Sequence, residues 1–452
     1  MQVKAITVGP AQRGEQSRTA PSPRWAVLRG IVLVAVAGYL SYWLAHQYFG
    51  PHHDQFDLKI YYRAIKFWVA GNDIYAFAQP DPVNISLGFT YPPLAAVLML
   101  PMAQLSFPVV RTIMLVTTVL ATAGCVFLCL RERLRIRRHQ LLTSVGVATA
   151  AAFLLEPIRQ TLGFGQINMF LMLLILLDVF VLARSGSRWT GVGIGLAMAI
   201  KITPGVFLLY LLLSKQQRAA VVAVTTAAVA TLVSGLVAPA QTWEYYTKLL
   251  WESDRVGFLG GSANQSLNGL IARFSAPLPP SHLIWLVAVL AVGIPAAWRI
   301  RSACRSGDTL AAVTLTGLLG VLVSPASWTH HVVWVIPAMI IIGQRMLTIH
   351  RDVRPGRTAG QWLALHAPIA LLAVGAVMAW GIDLRINLGL PDVDYSGYGV
   401  LSKLLGSVPM FWCVAAVFLL PVRASRKARP MRRDDLELVT AEPLERITAG
   451  RS

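Results

Sequence analysis

The sequence predicts an all-α polytopic membrane protein, and three observations support this fold class. First, 55% of its 452 residues are hydrophobic and only 13% are charged, whereas soluble chains carry roughly 25% charged residues. Second, the apolar residues come in blocks close to the length of about 20 residues that an α-helix needs to cross a membrane. Third, these blocks lack the alternation of apolar and polar residues that is typical of outer-membrane barrels.

Twelve apolar segments are candidates for membrane spans, and 93–105 is a further apolar segment that we exclude. Because it is flanked by Tyr91-Pro92-Pro93 and by Pro108, we interpret it as a re-entrant or surface helix. In the candidate set, the segments near 189–201 and 203–214 are the shortest. The candidates lie near residues 26–48, 109–130, 141–157, 167–183, 189–201, 203–214, 219–238, 283–300, 309–324, 331–347, 361–382 and 407–422.

The net charge of +19 is distributed in a way that predicts the orientation of the chain. Basic residues concentrate at both termini and in alternate loops, such as 131–138, 345–357 and 423–433. This is the positive-inside pattern, so these loops and both termini are predicted to be cytoplasmic. The excess charge is explained by topology, and we therefore predict no binding of nucleic acid.

The chain divides into one domain and two tails. We expect residues 1–24 to form a disordered cytoplasmic tail, because they are polar and contain Pro, Ser and Arg. Residues 25–425 should form a single transmembrane domain, and residues 426–452 a charged cytoplasmic tail. The first apolar segment is too long for the core of a signal peptide, so we interpret it as an uncleaved span.

The predicted outer side collects the polar residues that could carry chemistry, and the first cluster follows the first span. Asp54 and Asp57 are three residues apart, so a helix would place both on one face. Aromatic and basic residues alternate after them, including Lys59 and Tyr62, as in a helix that lies among lipid headgroups. Asp54 is explained by charge balance alone, whereas composition supports an interfacial and a functional role for Asp57 equally.

Lys201 stands among apolar residues in Ala-Met-Ala-Ile-Lys-Ile-Thr-Pro-Gly. A lysine in this setting either snorkels to the surface, pairs with another group or faces a polar cavity. In the last case its ammonium group could hold an anion at the membrane surface.

A third cluster runs from Glu156 to Asn168. The guanidinium of Arg159 suits the paired oxygens of a phosphate, although Arg159 and Glu156 could also pair with each other. Gln166 and Asn168 precede an apolar segment, where they could cap a helix or hydrogen-bond a sugar.

Two later segments carry further candidates. Asn264 and Gln265 follow a glycine-rich stretch, and their amides suit hydroxyl recognition but are also common in loops. The adjacent His330 and His331 would point to different faces of a helix, which makes a poor metal site. One of them could instead face a cavity as a partner for a phosphate or a proton.

We predict neither a metal nor a cofactor. The sequence contains no Walker loop, no Gly-rich dinucleotide motif beside a strand and no Gly-x-Ser-x-Gly elbow with a plausible partner. An enzyme of this kind would need an activated donor that already resides in the membrane.

Taken in order, these motifs resemble those of a known family. The set is similar to that of the actinobacterial polyprenol-phosphate-mannose-dependent α-1,2-mannosyltransferases, which are membrane enzymes of the GT-C fold. The resemblance covers roughly residues 25–425. The motifs are Asp57-Leu-Lys-Ile-Tyr-Tyr, Tyr91-Pro92-Pro93, Gly165-Gln166-Ile167-Asn168, Lys201-Ile-Thr-Pro204, Asn264-Gln265-Ser266, and Ser324-Pro325 with Trp328-Thr-His330-His331.

The resemblance implies a fold, a location and a reaction. The fold would be GT-C with about 12 transmembrane helices, in the plasma (inner) membrane, with periplasmic loops forming the active site. The donor would be polyprenyl-monophosphate-mannose and the acceptor a phosphatidylinositol mannoside, converted from the tetra- to the pentamannosylated lipid. Transfer would invert the anomeric carbon, with Asp57 as general base.

This reaction needs groups of three kinds. A carboxylate takes the proton of the attacking hydroxyl, and Asp57 is assigned to it. Cations or hydrogen-bond donors stabilise the leaving phosphate, and the candidates are Lys201, Arg159, His330 and His331. We assign contacts with the sugar and the acceptor to Gln166, Asn168, Asn264, Gln265, Tyr62 and Lys59.

Two alternatives remain at this point. A transferase that uses decaprenyl-phosphate-arabinose would need the same carboxylate and cations. A polyprenyl-lipid or glycolipid transporter or flippase should instead show internal repeats, broken helices and charges at mid-membrane depth. The polar residues here gather at predicted outer helix ends, which favours the transferase.

Overall fold

The computed structural model of the protein describes residues 55–81, 85–134, 138–348, 359–381 and 397–423, with isolated positions at 30–32, 35, 38, 39, 388, 389 and 395. Both predicted tails, most of the first predicted span and Asp54 lie outside these residues. The α-helices described are α1 (Phe56–Val69), α2 (Pro93–Met99), α3 (Phe107–Arg133), α4 (Arg138–Ala152), α5 (Glu156–Phe164), α6 (Asn168–Leu177), α7 (Val192–Ile200), α8 (Phe207–Leu213), α9 (Gln217–Val237), α10 (Pro239–Thr247), α11 (Leu267–Ser275), α12 (His282–Arg305), α13 (Thr309–Val323), α14 (Val335–Thr348), α15 (Ala359–Ala376), α16 (Val400–Leu405) and α17 (Val408–Leu419).

The described residues form a mostly helical protein with clear membrane-spanning segments. Within them, three helices (α3, α9 and α12) are long and apolar enough to cross a membrane, and α4 with α5 forms a fourth candidate bent by 81°. Most of the other predicted spans coincide with apolar helices of 10–17 residues. The predicted position of the spans is therefore confirmed in outline, whereas the number of twelve stays a prediction.

One predicted boundary is wrong. The span predicted near 141–157 ends early, because helix α4 stops at Ala152 and helix α5 begins at Glu156 after a sharp bend. Pro157 lies in the first turn of α5, where its missing N–H and fixed φ are best tolerated. The helix ends at Gly165, which has a left-handed φ of 69°.

The segment after α1 contains a small sheet that the all-α prediction did not include. Strand β1 (Ala78–Asp81) pairs antiparallel with strand β2 (Ile85–Gly88). Helix α2 follows and is continued only by a 3₁₀ segment, Leu100–Gln104. Helix α2 and this 3₁₀ segment together are too short to cross a membrane. Helix α2 packs against α1, α7 and α9, in agreement with the surface interpretation of 93–105.

Helix α13 lies at the centre of the packing. All its residues from 310 to 322 are buried, and it contacts α8, α12, α14 and α17. A Cβ atom at Gly317 would lie 2.1 Å from the ring of Trp334. Since apolar side chains gain little from leaving lipid, close packing over small residues is what holds membrane helices together.

Helices α7 and α9 touch through their backbones. A Cβ atom at Gly191 would lie 2.2 Å from the main-chain oxygen of Ala219, and one at Gly195 would lie 2.4 Å from that of Ala223. Two glycines four residues apart allow this approach. The contact holds α7 in place, and Lys201 directly follows this helix.

A buried ion pair lies at the end of α3. Arg133 Nη1 is 2.7 Å from both carboxylate oxygens of Asp308, and both side chains are 2% exposed. Asp308 also accepts hydrogen bonds from the main-chain N–H groups of Ala311 (3.3 Å) and Arg423 (2.8 Å). We call these groups the Arg133 pair; it joins α3, the start of α13 and the chain that follows α17.

Candidate functional site

Most of the polar residues singled out from the sequence meet in one place, at the ends of α1, α5, α6 and α7 and in the segment before α14. We call this group the polar cluster. It consists of Asp57, Tyr61, Tyr91, Gln166, Asn168, Lys201, His330 and His331.

Asp57 lies in the first turn of α1, where the end of α5 meets that helix. A Cβ atom at Gly165 would lie 2.6 Å from Cβ of Leu58. The left-handed φ and this close approach both favour glycine at position 165. The contact brings Gln166, the next residue, against Asp57.

Asp57 is hydrogen-bonded to the amide of Gln166 and, through this amide, to the phenols of Tyr61 and Tyr91. Gln166 Nε2 donates to Asp57 Oδ2 at 2.5 Å and to Tyr61 Oη at 3.0 Å. The hydroxyl of Tyr61 donates to that of Tyr91 at 3.0 Å, and the hydroxyl of Tyr91 donates to Gln166 Oε1 at 2.7 Å. The side chains of Tyr61, Tyr91 and Gln166 are buried, whereas Asp57 keeps partial exposure.

Burial raises the pKa of Asp57 from 3.8 to about 6. The hydrogen bond from Gln166 and the charge of Lys201 lower the pKa by less than burial raises it, and the charge of Asp81 adds to the increase. A carboxylate whose pKa lies near neutrality is a stronger base than an ordinary aspartate while still being ionised at pH 7. These properties suit a general base.

Lys201 points into the polar cluster. Its side chain is 8% exposed, so it does not snorkel to the surface. Nζ donates to Asn168 Oδ1 at 3.1 Å, lies 3.0 Å from His331 Nε2, and sits 5.1 Å from the centre of the Tyr91 ring. The break between α7 and the next helical turn, Thr203–Val206, leaves Lys201 extended with its side chain inside.

The two histidines differ in their contacts. The Nδ1 atom of His331 accepts the main-chain N–H of Trp328 at 3.2 Å, which turns Nε2 toward Lys201. The ring of His330 packs edge-on against Phe164 (5.6 Å) and against His331. The main-chain oxygen of His330 accepts from Asn168 Nδ2 at 2.9 Å. His331 is therefore the histidine that reaches the lysine.

A cavity of about 50 Å³ begins at the polar cluster and continues among apolar helices. Asn168 and His331 are among its lining residues, together with residues of α6, α8 and α13, such as Phe207 and Gly320, and of the segments before α8 and α14. Among the described residues, no group of three or more His, Cys, Asp or Glu side chains is placed to hold a metal ion.

Arg159 lies in α5 and is buried. It donates to the main-chain oxygen of Leu154. Glu156, its alternative partner in the sequence, accepts from Gln160 Nε2 at 2.6 Å. The hydrogen bond from Arg159 to Leu154 thus runs to the turn between α4 and α5, and we do not include Arg159 in the polar cluster.

Asn264 and Gln265 use their amides on main-chain atoms. Asn264 Oδ1 accepts the N–H of Ser327 at 3.0 Å, and Gln265 Oε1 accepts that of Met410 at 2.9 Å. Gln265 Nε2 donates to the oxygen of Gly406 at 3.0 Å. In this arrangement the amide of Asn264 holds the segment that carries His330 and His331, whereas the amide of Gln265 holds the start of α17. The predicted contact of both residues with a sugar stays a prediction.

Lys59 and Tyr62 contact residues at the start of α3. The Tyr62 hydroxyl donates to the oxygen of Leu105 at 2.9 Å, and its ring lies 5.4 Å from that of Phe107. Lys59 Nζ lies 6.0 Å from the centre of the same Phe107 ring.

Tyr61 and Tyr91 belong to the polar cluster although no role was predicted for them from the sequence. Two signals pointed to them: Tyr61 is four residues after Asp57, on the same face of a helix, and Tyr91 opens the Tyr91-Pro92-Pro93 motif. The structure places both within hydrogen-bond distance of Gln166.

The chemistry of the cluster defines a class of protein. A carboxylate that can take a proton stands beside a lysine and a histidine that can bind an anion, among apolar helices. These are the parts of a group-transfer site in a membrane enzyme whose leaving group is negatively charged.

Comparison with known proteins identifies the family. Residues 89–325, just over half of the chain, match glycosyltransferase family 87. The chain is 32% identical to the "polyprenol-phosphate-mannose-dependent alpha-(1-2)-phosphatidylinositol mannoside mannosyltransferase" of Mycobacterium tuberculosis, covering 89% of this chain and 92% of the relative. A relative from Mycolicibacterium smegmatis, named as the corresponding pentamannoside mannosyltransferase, is 32% identical over 77% of this chain and 78% of its own length.

A more distant similarity concerns an arabinofuranosyltransferase. The "alpha-(1->3)-arabinofuranosyltransferase" of M. tuberculosis is 30% identical over 56% of this chain and 57% of its own length. The chain therefore belongs to glycosyltransferase family 87, and it is a glycosyltransferase rather than a transporter.

Proposed function

We propose that this protein is an inverting polyprenyl-monophosphate-mannose-dependent α-1,2-mannosyltransferase. It adds mannose to a phosphatidylinositol mannoside, taking the tetra- to the pentamannosylated lipid, with no cofactor. The proposal includes a GT-C fold of about 12 spans in the plasma membrane, with the polar cluster facing the periplasm. The orientation is supported by the positive-inside pattern of the basic loops.

The choice of substrates is supported by the relatives. The relative named as a phosphatidylinositol mannoside mannosyltransferase is matched over nearly its whole length, whereas the arabinofuranosyltransferase is matched over little more than half of its length. The residues that we assign to donor and acceptor are spread along the chain. A relative that matches over nearly its whole length is therefore the better guide to the substrates than one that matches over little more than half.

The observation that carries the proposal is Asp57 beside the Lys201–His331 pair. Gln166 holds one carboxylate oxygen of Asp57, Oδ2. The other oxygen, Oδ1, takes the proton of the acceptor 2-hydroxyl as that oxygen attacks C1 of the donor mannose. The bond between C1 and the phosphate oxygen breaks, and the phosphate keeps the electron pair.

The leaving phosphate is stabilised by Lys201 and His331. Asn168 orients the lysine by accepting from Nζ, and Trp328 orients the histidine through its main-chain N–H. Donors held in place in this way stabilise developing charge without reorganising during the reaction. His330 and Arg159 support this arrangement indirectly. The main-chain oxygen of His330 accepts from Asn168, and Arg159 donates to Leu154 just before the start of α5.

Lys59 and Tyr62 lie on α1 near the start of α3. We assign them to the acceptor headgroup at the membrane surface, while the polar cluster holds the reacting sugars.

The test is transfer by purified protein in lipid nanodiscs, with labelled polyprenyl-phosphate-mannose and tetramannosylated phosphatidylinositol. We expect pentamannosylated product with the wild-type protein and none with Asp57→Asn. Asp73→Asn is the matched control, because Asp73 lies outside the polar cluster and accepts from the N–H of Tyr75, where it caps a short helical turn, and from Gln241 Nε2. Activity of Asp57→Asn equal to that of Asp73→Asn would refute the assignment of the base.

A second candidate is supported by the arabinofuranosyltransferase relative. The same preparation is therefore assayed with labelled decaprenyl-phosphate-arabinose and an arabinan acceptor. Arabinose transfer without mannose transfer would replace the proposed donor. A parallel assay with the pentamannosylated lipid as acceptor identifies the step in mannoside elongation.

A further inference from the structure

We propose that Tyr61, Tyr91 and Gln166 form a positioning device for Asp57, in which a closed ring of hydrogen bonds aims the amide of Gln166 at the carboxylate. The inference rests on the proposed role of Asp57 as general base. It replaces our prediction that Gln166 contacts a sugar.

The three hydrogen bonds of the ring all run in the same sense around it. The amide of Gln166 donates to Tyr61, Tyr61 donates to Tyr91, and Tyr91 donates back to the amide oxygen at 2.7 Å. A phenol has one hydrogen to donate, so both hydroxyl hydrogens are used inside the ring. The second hydrogen of Gln166 Nε2 is then directed to Asp57 Oδ2 at 2.5 Å.

The ring holds the amide in place, and the carboxylate of Asp57 selects its orientation. If the nitrogen and oxygen of the Gln166 side chain exchanged places, the two phenols could reverse their hydrogen bonds, but Oε1 would face the carboxylate of Asp57 and two acceptors would meet without a hydrogen. Because all three side chains are buried, unpaired polar atoms there would cost more than they would in water.

The tyrosines are themselves held in place. The rings of Tyr61 and Tyr91 lie 5.1 Å apart, and each packs edge-on against Phe89, at 6.1 and 6.0 Å. The Tyr75 hydroxyl donates to the main-chain oxygen of Tyr91 at 2.9 Å. Lys201 Nζ covers the Tyr91 ring at 5.1 Å, so Tyr91 contacts both the base and the phosphate side of the cluster.

A purely structural role would explain the same bonds, and pH dependence separates the two. A hydrogen bond to the ionised form of Asp57 favours that form, so its loss makes the carboxyl group protonate at higher pH. A loss of packing alone would lower the amount of active protein without moving the pH profile.

The experiment measures kcat/KM for mannosyl transfer from pH 5 to 8 with Gln166→Leu, Tyr91→Phe and Tyr61→Phe. We expect Gln166→Leu to move the acid limb upward by about one pH unit. The two phenylalanine variants, which keep the rings, should move it by about half as much. Tyr246→Phe is the control, since it removes a hydroxyl that bonds Thr231 Oγ1 at 3.1 Å and takes no part in the ring, and its profile should match the wild type.

A positioning role also predicts that kcat falls by about tenfold in Gln166→Leu, while KM for the donor changes less than about twofold. An unshifted acid limb in Tyr91→Phe and Tyr61→Phe would overturn the inference, even if Gln166→Leu fails to accumulate in membranes. If Asp57→Asn is fully active, the proposed base is wrong, and this result does not depend on the profiles of the ring variants.

Discussion

Asp57, which is partly exposed, and Asp308, which is buried, are held in different ways. Asp308 meets a guanidinium directly and accepts two main-chain N–H groups as well, with its side chain 2% exposed. Asp57 meets a neutral amide, remains partly exposed and shares the polar cluster with a lysine that bonds to other groups. One carboxylate has its bonding capacity filled, and the other keeps an oxygen for a substrate.

The difference shows how surroundings separate a structural carboxylate from a reactive one. In the Arg133 pair, a guanidinium and two main-chain N–H groups occupy the carboxylate oxygens of Asp308, which leaves no oxygen for a substrate hydroxyl. Burial beside a neutral donor raises the pKa of Asp57 to about 6, which keeps proton transfer within reach.

The largest effect is expected for Asp57→Asn. Asparagine matches aspartate in size and can accept from Gln166, but it cannot take a proton, so the transfer rate should fall by about a thousandfold. The unfolding temperature should stay the same or rise slightly, because a desolvated carboxylate is removed. Initial rates and thermal unfolding in detergent check both points. A lower unfolding temperature with an unchanged transfer rate would show that Asp57 is a structural residue and not the base.

The opposite result is expected for Asp308→Ala. Removing one partner leaves the guanidinium of Arg133 buried without its carboxylate, which should lower the free energy of unfolding by about 3 kcal/mol. The protein that remains folded should keep the wild-type kcat. The double variant Arg133→Met with Asp308→Leu is the control and should recover much of the stability; a double variant as unstable as the single one would show that the charges themselves are needed.

A smaller effect is expected for Lys201→Met. Loss of a charged hydrogen-bond donor to the phosphate should raise KM for the donor by about thirtyfold, with little change in KM for the acceptor. The exposed Lys248 provides the control variant Lys248→Met. Equal donor KM values in the two variants would remove Lys201 from the phosphate site.

The smallest effect concerns pH. The pKa of Asp57 is raised to about 6, so the base is ionised above pH 6 and protonated below it. With no other change, kcat/KM should be about tenfold lower at pH 5 than on the plateau above pH 7. The dependence should be absent from the residual activity of Asp57→Asn, and an identical acid limb in that variant would assign it to another group.

Much of the fold and the enzyme class could be predicted from the sequence. Apolar blocks indicate membrane segments, because the bilayer excludes other compositions. Lys201 could be identified as a candidate because its neighbours are apolar. The bend between α4 and α5 was missed, since Pro157 in an otherwise apolar stretch fits either a loop or the first turn of a new helix.

The geometry of the site was less predictable, because its bonds join distant parts of the chain. Gln166 bonds to Tyr61 and Tyr91, which are 105 and 75 residues away, and no local pattern distinguishes this use from a helix cap. The same holds for Asn264, whose partner Ser327 is 63 residues away.

The glycine contact between α7 and α9 has a consequence for the site. A smooth apolar helix could rotate about its axis within the bundle at little cost, and any residue at its end would swing with it. Gly191 and Gly195 interlock with the α9 backbone, and this sets the rotational register of α7. Gly195 lies about 9 Å along the axis from Lys201. The direction in which the lysine points is thus decided by two residues that carry no side chain.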